Sequence, residues 1–192
     1  MATTERFWTF PNILSLYRIV VFPFILYLIF SKSEFLFSIF ITISLVTDIL
    51  DGLIARIFKM QTKIGATLDS WADTGTYILA FVAIYLFKWN EIKGQWIILV
   101  VFFITWISSY AVVLIKFNGL IGLHTYLFKI TGYLQGGFIV CLFLFDFYVW
   151  LFYLCLCIGI VACVEEILII LSIKQPMSNV KGLYWILKNK NH

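Results

Sequence analysis

The stretch that decides the reading is Asp48-Ile-Leu-Asp51-Gly52-Leu-Ile-Ala55-Arg56, followed after eight residues by Gly65-Ala-Thr-Leu-Asp69-Ser-Trp-Ala-Asp73. It holds four of the ten acidic residues in the chain. Asp48 and Asp51 are three apart, Asp69 and Asp73 four apart, and on helices both spacings put the pair on one face. The eight residues between Arg56 and Gly65 leave room for a helix end and a short turn. Two helices joined so closely run antiparallel as neighbours, which lets the four carboxylates converge. Four converging acids stay ionised only if cations neutralise them. An all-oxygen ligand set suits a hard divalent ion, Mg²⁺, Mn²⁺ or Ca²⁺. Four carboxylates can hold two such ions, the arrangement that clamps a phosphoryl group in transfer. The alternative, four acids on two solvated helix ends, conflicts with the apolar flanks on either side.

Hydrophobic residues make up 62% of the 192-residue chain and charged residues only 12%. A soluble protein of this size could not cover so much apolar surface, so the bilayer is expected to act as its solvent. The length suits a single membrane-embedded domain over residues 1–192. The net charge of +4 is modest, and the Lys and Arg form no stripe, so no nucleic-acid partner is expected. Cys141, Cys155, Cys157 and Cys163 lie in apolar runs without a CxxC and read as small helix-packing residues rather than disulfides or a zinc site. The first apolar run carries Arg18 and no A-x-A site follows it, so it reads as a span and not a cleaved leader.

The expected fold is all-α, a polytopic membrane protein of six transmembrane helices. Residues 1–10, with Phe7, Trp8 and Phe10, form a short amphipathic lead-in suited to the interface. Pro11 can open the first helix, and Pro23 is placed to kink it. The spans fall near residues 12–30, 35–58, 65–87, 95–117, 124–145 and 148–173, with a polar break at 88–94 and a basic tail from 174 to 192. Within that tail, residues 180–188 read either as a segment on the inner leaflet or as a frayed end. Six spans put both termini on one side. Arg6, Arg56, Lys59, Lys63, Lys116, Lys174, Lys181, Lys188 and Lys190 then share that side, against Lys32, Lys88 and Lys93 on the other. The positive-inside rule makes it the cytoplasm, with the four Asp at the cytoplasmic ends of the second and third helices.

The full pattern D-x2-D-G-x2-A-R-x8-G-x3-D-x3-D resembles the signature of the CDP-alcohol phosphotransferase (CDP-alcohol phosphatidyltransferase) family at every fixed position. The resemblance is tight over about residues 11 to 80. It implies Asp48, Asp51 and Asp69 as metal ligands, and Asp73 as a metal contact and the base for the acceptor hydroxyl. It also implies two Mg²⁺ or Mn²⁺ ions, CMP as leaving group, CDP-diacylglycerol and a small alcohol as substrates, and a homodimer in the bacterial inner membrane. Read from the residues themselves, Gly52, Ala55 and Gly65 lack the bulk that would keep a nucleotide away. Arg56 offers a fixed fork of donors to its pyrophosphate, or serves only as an inside-flanking charge.

The opening Pro11-Asn12-Ile-Leu-Ser15-Leu-Tyr17-Arg18 is similar to the start of phosphatidyl-transferring members. Asn12, Ser15 and Arg18 share a face and are candidate contacts to phosphate or acceptor. Arg18 lies about two turns inside the membrane, where it needs a carboxylate such as Glu165 or Glu166, a phosphate or a water-filled cavity. Those two acids and Lys129 are expected at a similar depth, forming a polar layer around the Asp cluster.

Lys129-Ile-Thr-Gly-Tyr-Leu-Gln135 resembles a segment of phosphatidylglycerophosphate synthases and makes Lys129 a candidate acceptor contact. Thr131 and Gly132 stand where those enzymes carry Lys-Thr, and Ser108-Ser109-Tyr110 where they carry an Arg-Glu pair. Glycerol 3-phosphate is the first acceptor to consider. Two other readings are weighed: a transferase that moves a soluble CDP-choline or CDP-ethanolamine headgroup to diacylglycerol, and a divalent-cation transporter. The acids cluster at one edge without continuing across the spans, which disfavours a transport path.

Overall fold

The computed structural model describes residues 9–58, 60, 62–117, 125–173, 180 and 182–190. Of these, 91% are helical, with no strand among them. The helices are α1 (Phe10–Phe30), α2 (Glu34–Ile57), α3 (Lys63–Ala83), α4 (Trp89–Ile92), α5 (Trp96–Phe117), α6 (Tyr126–Leu144), α7 (Val149–Ser172) and α8 (Leu183–Lys190). Most of the expected lead-in, residues 1–8, lies outside the described residues, as do 174–179, 181 and 191–192 of the tail.

Large apolar side chains such as Val20, Phe30, Phe35, Ile97, Ile107 and Ile115 face outward, while Asn12, Ser15, Arg18, Asp51, Ser109 and Glu166 are buried. Such an inside-out distribution is stable when hydrocarbon surrounds the helices. Hydroxyls inside the spans are satisfied by their own helices: Thr42 donates to the Ser38 carbonyl at 2.7 Å, Thr76 to Ala72 at 2.9 Å and Thr131 to Leu127 at 2.9 Å.

Five helical stretches among the described residues are long and apolar enough to cross a membrane. The third covers 51 residues, Thr67–Phe117, where the sequence reading places two spans. A single crossing takes about 20 residues, so the expectation of six spans divides this stretch, whereas length and composition alone do not. The break expected at 88–94 is helical. A π-helical segment (Ile84–Lys88), α4 and a 3-10 turn (Lys93–Gln95) carry the chain through it. The reason lies in Lys88, which pairs with Glu34 at 3.0 Å and Glu91 at 3.4 Å. Its charge is met without unwinding the backbone, so the winding changes but the helix does not stop.

The chain forms two compact units. The first comprises residues 1–91 and 142–146. In it α1 packs against both α2 and α3. Thr9 caps α1 by accepting from the Asn12 N–H at 3.4 Å, with Pro11 in the first turn and Pro23 held within the helix. The core centres on Phe37, which is fully buried between Phe87 and Phe143, with ring centroids at 5.9 and 4.9 Å.

The second unit comprises residues 92–141 and 147–192. There α5 packs on α7, and α7 on α8. Val113, Ile169, Ile170, Ile173 and Val180 form a core that Leu183 and Ile186 of α8 cover. Residues 183–190 are thus an ordered helix with Tyr184 and Trp185 facing out, not a frayed end. The Lys116 ammonium caps the end of α7, donating to the carbonyls of Ile170 at 2.8 Å and Leu171 at 3.1 Å.

Candidate active site

Three helices of the first unit supply the site. The face of α1 carrying Pro11, Asn12, Ser15 and Arg18 is buried. Asp48 and Asp51 come from the last turns of α2, Asp69 and Asp73 from the first half of α3. The turn between them ends at Thr62, whose hydroxyl caps α3 by accepting from the Gly65 N–H at 2.9 Å.

All four Asp converge, and they do so on one guanidinium. Arg18 reaches Asp48 Oδ1 and Asp73 Oδ1 through Nη1, each at 2.9 Å. Through Nη2 it reaches Asp51 Oδ2 at 3.0 Å and Asp69 Oδ1 at 2.7 Å. The Arg18 side chain is 1% exposed and that of Asp51 5%, whereas Asp48, Asp69 and Asp73 are 36%, 44% and 41% exposed. The cluster therefore has a closed floor of Arg18 and Asp51 and an open rim of three carboxylates. Ser15 supports the floor, its hydroxyl 3.1 Å from Asp51 Oδ2 and 3.3 Å from the Pro11 carbonyl.

The anionic partner of Arg18 is thus the Asp cluster, not Glu165 or Glu166. Those acids are engaged within the second unit. Glu166 accepts from the Ser109 hydroxyl, and Glu165 Oε1 accepts from the Leu183 N–H at 3.1 Å. Lys129 also belongs to the second unit, where its ammonium lies over the Tyr126 ring at 5.8 Å from the centroid.

The chemistry of the donor set fits a divalent cation. Oxygens of Asp48, Asp51 and Asp69 lie within 4.8 Å of one another. Four carboxylates against one guanidinium leave three formal negative charges at a membrane helix end, and the three exposed acids open a way for a cation to reach them. Asp73 stands outside that group of three but meets both Arg18 and the Asp48 carboxylate.

The small residues divide in two. A Cβ on Gly52 would meet nothing within 4 Å. A Cβ on Gly65 would collide with Asn12 Oδ1 and approach Thr62 Oγ1 to 2.8 Å. Gly65 is small because α1 packs against the start of α3, a different reason from the open approach expected of it. Asn12 likewise turns to Thr62, donating from Nδ2 at 3.3 Å. Thr62 is the residue the sequence reading missed, although a Thr three residues before a glycine at a helix start is an N-cap signal. Ala55 lies in α2 and is partly buried; the side chain of Arg56 lies outside the described residues.

Curated proteins named CDP-diacylglycerol--glycerol-3-phosphate 3-phosphatidyltransferase are similar to part of this chain. That of Cereibacter sphaeroides is 37% identical over 82 residues, 40% of this chain and 37% of the relative. That of Haemophilus influenzae is 38% identical over 77 residues, and that of Escherichia coli 34% over 77; each match takes in 38% of this chain and 42% of the relative. The chain thus spans about two-fifths of the length of the relatives it matches. No solved structure matches it. The family model described as CDP-alcohol phosphatidyltransferase matches residues 8–162, a range that contains α1, α2, α3 and all four converging carboxylates, and the chain belongs to that family.

Proposed function

We propose that this protein is a metal-dependent phosphatidyltransferase that moves the phosphatidyl group of CDP-diacylglycerol to a small alcohol and releases CMP. The observation that carries the reading is the convergence of Asp48, Asp51, Asp69 and Asp73 on Arg18 at the ends of apolar helices. A lipid donor can leave its tails in the bilayer while its pyrophosphate meets charged groups there. Asp48, Asp51 and Asp69 would hold two divalent ions, Mg²⁺ or Mn²⁺, with Asp73 beside them. When bound, these ions neutralise the pyrophosphate and the charge that develops on the leaving group.

The chain's own residues do the rest. Open space at Gly52 admits the nucleotide along α2, with Ala55 and Arg56 one turn further on. The acceptor oxygen attacks the phosphatidyl phosphorus, and the new P–O bond replaces the bond to CMP, which departs with that electron pair. Asp73 takes the proton of the attacking hydroxyl; its carboxylate is partly exposed and so within reach of an acceptor.

Glycerol 3-phosphate is the first acceptor in this reading, because the relatives' names specify it. The site and both termini face the cytoplasm in six crossings of one membrane-embedded domain, and small residues in the spans allow two copies to associate. The test is to incubate the purified protein with CDP-diacylglycerol and glycerol 3-phosphate, serine, inositol or inositol phosphate in turn. CMP release and the mass of the lipid product are then read. CMP release with glycerol 3-phosphate is expected. A chain that instead consumes CDP-choline with diacylglycerol, or carries Mn²⁺ across proteoliposomes without nucleotide, overturns the reading.

A further inference from the structure

Arg18 is bonded to one oxygen of every carboxylate in the cluster, including the three acids whose oxygens lie within 4.8 Å of one another. A guanidinium and a divalent ion cannot both hold those oxygens at full strength. They compete for the same lone pairs, and like charges so close repel, most strongly at the closed floor of the site. Yet Arg18 is almost wholly buried and comes from a third helix, so its charge cannot retreat far. Its Nε–H is buried without a hydrogen-bond partner. The guanidinium is held at its two tips only, and its network is not completed on the third side.

We propose that Arg18 is the resident counter-cation of the cluster. It gathers the four carboxylates in the metal-free protein and yields some of them when a divalent ion binds, and so it sets the affinity of the site for metal. This rests on the metal-binding reading above. Arg18 is then a positioning residue that acts through the acids. One guanidinium holds α1, α2 and α3 together before metal arrives. One charge cannot balance four, so a strong pull on a divalent ion remains. Arginine suits the task because its planar fork spans acids on two helices at once, which a lysine ammonium, a single point, does not.

The test uses the full chain in detergent and Mn²⁺ as the probe, with free Mn²⁺ measured by electron paramagnetic resonance and stability by thermal unfolding. Arg18→Gln removes the charge. Its Mn²⁺ dissociation constant is expected to fall by about tenfold or more, its metal-free Tm to drop, and its gain in Tm on adding Mn²⁺ to exceed that of the wild type. Arg18→Lys keeps a cation and should bind Mn²⁺ within about threefold of the wild type, with a metal-free Tm between the two. A folded Arg18→Gln that binds Mn²⁺ no more tightly than the wild type overturns the proposal. If Arg18→Gln folds only when Mn²⁺ is present, the proposal is supported. If it folds in neither condition, Arg18→Lys decides: affinity near that of the wild type upholds the proposal, and affinity changed by tenfold or more overturns it. A wild-type chain that binds no Mn²⁺ overturns it too. A wild-type chain that binds Mn²⁺ but releases no CMP instead removes the transferase reading and leaves the role of Arg18 intact.

Discussion

Arg18 Nη2 and Asp51 Oδ2 meet at 3.0 Å in the most buried part of the site, the one pair in the cluster with both side chains closed to solvent. Asp51→Asn keeps the shape and a hydrogen-bonding oxygen but removes the charge. We expect it to destabilise the metal-free protein by about 1–3 kcal/mol, less than breaking an isolated buried pair because three acids still hold Arg18. It should also raise the metal concentration needed for turnover. Thermal unfolding with and without metal, and a Mg²⁺ titration of CMP release, check both parts.

Asp48→Asn and Asp69→Asn remove charge from the open rim. Each should lower CMP release by at least about 100-fold. In the wild type, EDTA should abolish activity, and Mg²⁺ or Mn²⁺ should restore it. Full activity of the wild type in EDTA contradicts the metal-dependent reading.

Asp73→Asn retains size and hydrogen bonding but cannot accept a proton. The loss should fall on kcat, on the order of 10²–10⁴-fold, with donor affinity much less affected. Turnover and CDP-diacylglycerol binding at several Mg²⁺ concentrations separate the two. Recovery to near the wild-type rate in excess metal would make Asp73 a ligand only.

Gly52 and Gly65 should respond in opposite ways. Gly65→Ala forces a methyl group against Asn12 and Thr62 and should cost about 1–3 kcal/mol of stability. Thr62→Ala removes the α3 cap and should cost about 1 kcal/mol. Gly52→Leu enters open space, so it should leave Tm unchanged while raising KM for the donor. Thermal unfolding and donor kinetics on the three variants test the contrast.

In the second unit, Ser109→Ala leaves the buried Glu166 without the hydroxyl it accepts from. The loss should be about 1 kcal/mol, the usual scale of a hydrogen bond between membrane helices. Restoration of Tm in the double variant Ser109→Ala/Glu166→Leu would show that the cost lies in the stranded carboxyl group.

The helices, their apolar faces and the convergence of Asp48, Asp51, Asp69 and Asp73 were legible in the chain alone. Composition forces backbone groups into helices inside a bilayer, and spacings of three and four fix which side chains share a face. The family was legible for the same reason, since its signature lies within two adjacent helices. What the sequence could not determine was which anion Arg18 takes, because Asp51 and Asp69 are 33 and 51 residues away from it along the chain and Glu165 is an equally plausible partner by depth. The packing of α1 against α2 and α3 decides that, and it also decides why Gly65 is small, through the Asn12 side chain that fills the space. Within the helical path through 84–95, Lys88 meets Glu34, whose place in the chain is more than fifty residues earlier. Local pattern reports what a residue's own helix needs, and only the tertiary structure reports which neighbouring helix supplies the charge, the cap or the bulk it lacks.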